Sequence, residues 1–537
     1  MVLSADTMSM IEARQFTRTR LLLNFLLMTV CFSVNHGAVT SVLSLAVPLL
    51  GPTAGPYSSG TLYICYAATA LFLSTPLLSF LGTRNALITG TALYCVYVAS
   101  FPLGLFVLHG HDDWCTKENP VSNNGSLVPS NPNCADPNNG SLVLVAIVGG
   151  VIGGFAAGFL WSAQGAYFAA TAKLYAAASR VAAVDGGASI DVDETDDVTK
   201  ATSLLSSIFA CIFLSCEVLL KLLAFALKFS SVGNMFVAVA YSAAALASVA
   251  GLFFVMDLDK NGPLQRLIQR CRAKRAAAAG GPADSLLAAS EATTTMVKSD
   301  DEESLPLAVA ARDHGEDNDE DSCGKPCLRA FFGKAASSVM LWFKAPRVLL
   351  LNPIQITFGV CAALLGYLVS GRAIGAAFKT NAVEVVGLMS AGTAATAALL
   401  QVPFAFVARK LGKPPLMLFG LGAFVVLATI CLAATVEQLG TWGFIIPCYL
   451  LQGIGRASYE GTNRAVYADS FPNDAPAAFA NIVLANGVAS AAAYFAFPHM
   501  PPAAMASIAL VSALVAIVCY IASFVFCGPK RCVGRVV

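Results

Sequence analysis

The sequence predicts an all-α polytopic membrane protein of twelve transmembrane helices in two six-helix bundles. Three observations lead there. Hydrophobic residues make up 57% of the 537-residue chain and charged residues only 12%, against about 25% charged in a soluble domain. Such a chain cannot cover a water-facing surface of its size, and a soluble multidomain enzyme is excluded. Twelve apolar runs are long enough for the ~20 residues that a bilayer core demands. A long polar stretch divides those runs six and six.

The first six spans are read at 21–50, 60–81, 86–109, 141–168, 202–228 and 232–256, and the second six at 348–370, 382–407, 415–435, 441–467, 477–499 and 502–527. The domains follow: an N-terminal segment 1–20, a bundle 21–256, a central loop 257–345, a bundle 346–527 and a tail 528–537. The segment after Arg20 is too long for a signal-peptide core and reads as a helix that stays.

Lys and Arg set the orientation. With the N-terminus cytoplasmic, Arg14, Arg18, Arg20, Arg84, Lys173, Arg180, Lys200, Arg409, Lys410, Lys413, Lys530, Arg531 and Arg535 lie inside, with the basic residues of the central loop. Only Lys117, Lys228, Arg372 and Lys379 lie outside. The loop 110–140 is then lumenal. It holds two Asn-x-Ser sequons, at Asn124 and Asn139, as candidate glycosylation sites. Cys115 and Cys134 share this loop as a candidate disulfide in an oxidising compartment. A eukaryotic secretory-pathway membrane is expected, plasma membrane or endolysosome.

In the central loop, Leu264, Leu267, Ile268 and Cys271 recur at helical spacing among Arg266, Arg270, Arg272, Lys274 and Arg275. Residues 264–275 therefore suit anionic lipid, or are ordinary positive-inside charge. The acidic runs near Asp300 and Glu316 carry the signature of disorder. Phe331, Phe332, Leu341, Trp342 and Phe343 suggest an interfacial helix. Cys323 and Cys327 lack further partners for a zinc site. The acidic segment 173–200 does not fit a calcium loop and reads as a solvated tether. No catalytic motif, cofactor or metal is implied, and no basic, aromatic-interleaved run points to nucleic acid.

Charges inside spans carry the sharpest functional signal, because each costs about 2.5–3.5 kcal/mol at a helix centre. In span ten, Arg456, Glu460 and Arg464 are spaced four and four and are expected to stack on one face. Glu460 then neutralises one arginine, and the other is left for an anionic group or a carboxylate from another span. Span five holds Glu217 and Lys221, four apart, as an intramembrane ion pair. Either set is a transport pathway or a static lock between helices. Gly150, Gly154 and Gly158 form a small-residue stripe on span four that admits close helix packing. Trp161 and Gln164 flank it. Asn35 and His36 in span one, and Asn352 and Gln355 in span seven, complete the polar set.

Several stretches carry a resemblance. Leu81-Gly-Thr-Arg84 and Arg409-Lys-Leu-Gly-Lys413 occupy equivalent places in the two halves and resemble the Gly/Asp/Arg loop of the major facilitator superfamily, without its Asp. The run Gly153–Tyr167, the run Tyr63–Tyr97, and Phe471–Ala480 after the Gly453-Ile-Gly opening are similar to the Unc-ninety-three-like, ion-channel-regulator branch. Arg456 stands where many members of that branch have an acid. The resemblance implies two bundles around a central cavity lined by spans one, four, seven and ten. It would gather Asn35, His36, Trp161, Gln164, Asn352, Gln355, Arg456 and Glu460. It implies either a secondary transporter of a small solute or ion or a non-transporting subunit of an ion channel or receptor. For a transporter, whose cargo could be anionic, the residues themselves suggest Arg456 as anion or counter-ion contact, Glu460 as its switchable partner, and Gln164 and Asn35 as polar liners. A pure scaffold has no need of Arg and Glu at the midplane, which favours transport.

Overall fold

The structure is a computed structural model and describes residues 5–118, 140–185, 194–229, 233–258, 340–471 and 475–526. Most of the described residues are helical, in twelve long helical units. The first half comprises α1 (Ala5–Ser44), α2 (Ala46–Phe72, continued by Ser74–Leu81), α3 (Thr83–Glu118), α4 (Gly140–Asp185), α5 (Glu194–Phe229) and α6 (Asn234–Leu252). The second comprises α7 (Arg347–Leu364, a π-helical run Leu365–Ile374, then Gly375–Phe378), α8 (Ala382–Leu411), α9 (Pro414–Ala433), α10 (Trp442–Ala457, a π-helical run Ser458–Asn463, then Arg464–Ser470), α11 (Ala475–Ala496) and α12 (Pro502–Phe526).

Two boundaries differ from the sequence reading. The chain turns at 45–51 and α2 is under way well before residue 60, because Gly51 takes φ +85° and ψ 175° and Pro52 starts a new helical stretch after it. The segment expected as a tether at 173–200 is helical up to Asp185 and again from Glu194. Its alanines favour helix more than its acids oppose it. The sequons Asn124 and Asn139, Cys134 and the basic segment 264–275 lie outside the described residues, as does the side chain of Cys115.

Each half repeats one packing plan. In the first, α2 and α3 pack on α4, α1 packs on α5 and α6, and α3 packs on α6. In the second, α8 and α9 pack on α10, α7 packs on α11 and α12, and α9 packs on α12. The equivalent loops repeat too. Gly82 (φ +73°) and Gly412 (φ +80°) each stop a helix in a conformation that disfavours any Cβ. Their amides close on Leu78 and Ala408 carbonyls at 3.0 Å. Arg84 then donates to the carbonyls of Val255 and Phe253, both at 2.6 Å, and caps the chain leaving α6.

The halves join along α2 with α11 and α5 with α8. Beyond these, α2 packs against the π run of α7 at the end where α1 turns into α2. There a Cβ on Gly371 would lie 2.4 Å from Val47 Cγ1, and Tyr57 meets Phe495 at 5.7 Å between ring centroids. Among the described residues α4 and α10 share no comparable packing. The two halves are therefore closed at the end where Val47 meets Gly371.

Candidate functional site

The span-five and span-ten charges form one net across the two halves. The Arg456 guanidinium donates from Nη1 and Nη2 to both oxygens of Glu217, at 2.7 and 2.8 Å. Its Nε donates to Glu460 at 2.8 Å. Lys221 Nζ shares the first Glu217 oxygen at 2.8 Å. Bidentate arginine–carboxylate pairing is the strong form of this contact. Two acids and two bases leave the net neutral, so the carboxylate that answers the surplus arginine comes from α5. Side-chain exposure rises from 1% at Glu217 through 7% at Lys221 and 14% at Arg456 to 28% at Glu460.

Local packing sets this geometry. Gly37 on α1 lets the α5 backbone approach at Cys216 and Glu217, and Gly387 on α8 does the same at Lys221 and Ala224. On α10 the net takes in Arg456 and Glu460, while Arg464, which follows the π run Ser458–Asn463, stands outside it: Arg464 is exposed and has no carboxylate partner among the described residues. The Ala457 carbonyl at the start of the π run accepts from Gln401 Nε2 at 3.2 Å, so the irregular backbone stays satisfied.

His36 sits beside the net, within an aromatic cluster. Its ring lies 5.0 Å from Trp161, 5.1 Å from Phe213 and 6.2 Å from Phe32. Its Nδ1 is buried without a hydrogen-bond partner among the described residues. Phe213 is one turn from Glu217, which places the cluster against the ion net.

Other members of the expected cavity set face elsewhere. Asn35 is fully buried inside the first bundle and donates to Ser248 Oγ at 3.0 Å and to the carbonyls of Thr91 and Ala245 at 3.3 Å. Gln355 and Asn463 exchange two amide hydrogen bonds, both 3.1 Å, and both are fully buried. Asn352 accepts from Tyr467 at 3.3 Å. These three residues tie helices within one half. Gln164 is buried on α4. The stripe Gly150, Gly154 and Gly158 is filled by α2: Cβ atoms there would meet the Ser58 and Leu62 carbonyls and Thr69 at 2.3–2.6 Å. It is spent inside the first bundle.

Sequence reasoning overlooked Gly37, Gly387 and Gln401, because the glycines stand alone rather than in a stripe and the glutamine meets backbone rather than charge.

No family model matches the sequence, and no curated protein matches it. Solved structures do match in fold. A mutant of the nucleoside transporter NupG is similar over 94% of this chain and 99% of its own, with TM-score 0.52 and 11% identity. The inward-open xylose transporter XylE from E. coli is similar over 94% and 96%, with TM-score 0.53 and 13% identity. A bacterial homologue of the iron transporter ferroportin, inward-facing, is similar over 94% and 98%, with TM-score 0.54 and 14% identity. Among the described residues, nine helical runs are long and apolar enough to cross a membrane. One of them, 347–408, holds both α7 and α8. The chain is a multi-pass, all-α membrane protein with the major facilitator fold.

Proposed function

We propose that the protein is a secondary transporter that moves a small solute by rocking its two halves about the Glu217–Arg456 contact. One observation carries this: the bond that joins the halves can break without stranding a charge. Glu217 keeps Lys221 on its own helix, and Arg456 keeps Glu460 on its own helix. A static lock has no use for such spare counter-ions. The Lys and Arg asymmetry supports a cytoplasmic N-terminus, which puts the closed Val47–Gly371 end on the lumenal side. The α4 and α11 motifs support the Unc-ninety-three-like branch. The stripe that a channel or receptor partner would need is occupied by α2.

The test is reconstitution of the purified chain in liposomes with labelled sugars, nucleosides, carboxylates and phosphates. Spin labels are placed on α4 and α10. Uptake of one class, with a second and shorter label distance in its presence, is expected. Folded protein that moves none of them and keeps one label distance throughout overturns the proposal.

A further inference from the structure

We infer that the rings of His36, Trp161, Phe209 and Phe213 form a subsite for a planar aromatic or heteroaromatic group of the solute. This rests on the transport reading and names its substrate class. Phe209, Phe213, Glu217 and Lys221 recur at every fourth position, so they share one face of α5, aromatic first and then charged. Phe32 and His36 repeat that spacing on α1. Trp161 on α4 closes the group. Its ring lies 5.0 Å from His36, 5.1 Å from Phe32 and 5.8 Å from Phe213 between centroids. Phe213 in turn lies 5.1 Å from His36 and 5.5 Å from Phe209.

This wall adjoins the joint between the halves. Phe213 precedes Glu217 by one turn, and Glu217 takes Arg456 from α10. A Cβ on Gly37, next to His36, would lie 3.5 Å from Glu217 Cα. The large exposed residues Leu204 and Leu219 lie on the opposite side of α5. Phe32 is fully buried behind the wall, whereas His36, Trp161, Phe209 and Phe213 are half-buried. Those four therefore present ring surface toward the seam. Few hydrogen-bonding groups accompany it. Asn35, Asn352, Gln355 and Asn463 spend their side chains inside the halves. The four charges of the net answer one another. A polyol would give up water here without gaining partners. A flat ring gains the edge-to-face and stacked contacts that these rings already make among themselves, at 80° between His36 and Trp161 and 26° between His36 and Phe213.

The experiment follows thermal stabilisation of the full-length protein in nanodiscs by adenine, uracil, benzamide, cyclohexanecarboxamide and glucose. Benzamide and cyclohexanecarboxamide carry the same amide and differ in whether the ring is flat. At least one of the three aromatic probes should stabilise the wild type more than both saturated ones. Trp161→Leu and Phe213→Leu should each weaken that probe roughly tenfold. Trp161→Phe should keep most of the affinity, which separates a lost ring from a misfolded chain. If no aromatic probe outdoes the saturated pair, or if the leucine variants elute as monodisperse protein and bind like wild type, the assignment is overturned. Liposome uptake of a sugar in that case would leave the transport proposal standing while this one fails.

Discussion

Glu217 and Arg456 stand 239 residues apart in sequence and meet through two parallel hydrogen bonds of 2.7 and 2.8 Å. They belong to different halves of the repeat, so their contact is both an ion pair and a joint. Its energetics are unequal on the two sides. Removing Glu217 leaves Lys221 almost fully buried without an acid. Removing Arg456 leaves Glu217 paired with Lys221 and strands only the more exposed Glu460.

The first prediction follows from that inequality. Glu217→Gln should cost about 3–5 kcal/mol of stability, the range for orphaning a buried charge. Arg456→Met should cost less, about 1–2 kcal/mol, because its partners keep or regain solvation. Adding Lys221→Met to Glu217→Gln should recover much of the loss by removing the stranded ammonium. Denaturant unfolding in detergent measures all three. An Arg456→Met variant as unstable as Glu217→Gln would show that the spare counter-ions do not function as such.

The closed end offers a mechanical test. A Cβ at position 371 would lie 2.9 Å from Val47 Cβ, closer than the ~3.8 Å of a disulfide, so the helices must part there by about 1 Å. The pair Val47→Cys and Gly371→Cys should cross-link on mild oxidation. The cross-link should abolish solute flux, and reduction should restore it. Mass spectrometry of the linked peptides together with flux before and after reductant decides this. A linked protein that still transports at the wild-type rate refutes the view that this end opens.

The fold was legible in the sequence because a bilayer makes the constraint severe. Apolar run lengths, the central polar stretch and the paired Gly82 and Gly412 loops suffice for two bundles of six. The five intramembrane charges stood out for the same reason, as costly exceptions. Their grouping was less legible. The four-and-four spacing groups Arg456, Glu460 and Arg464, but it cannot show that Glu217 reaches across from α5 to take Arg456 while Arg464 stands outside the net. Helix facing was also hidden. Spans α1 and α7 are surrounded by protein on most sides, so their polar residues do not mark a single wet face. Asn35 and Gln355 turned inward for that reason, into hydrogen bonds that hold each bundle.

The Gln355–Asn463 pair makes that last point testable. Each amide satisfies the other in a fully buried setting between α7 and α10. Gln355→Leu should leave Asn463 unsatisfied and cost about 1–3 kcal/mol. Replacing both by Leu should cost less than the single change, since no buried polar group is then orphaned. Solute KM should stay unchanged in any variant that folds. A selective rise in KM at full stability would instead place Gln355 on the solute path.

The glycine stripe of α4 yields the final prediction. A Cβ at Gly154 would lie 2.3 Å from the Leu62 carbonyl and 2.6 Å from Cys65 Cβ, and backbone cannot swing aside as a side chain does. Gly154→Leu must therefore push α2 from α4, the most extensive helix pair in the first half. The expected result is retention and loss of folded protein, seen as loss of a monodisperse peak in detergent. Gly165 lies on the same helix with nothing within 4 Å of its Cβ position, so Gly165→Ala should leave that peak intact. A partner-holding stripe predicts the opposite for Gly154→Leu: a well-folded monomer that has lost only a bound protein. The two outcomes differ in one chromatogram, because overpacking against backbone acts on the fold itself.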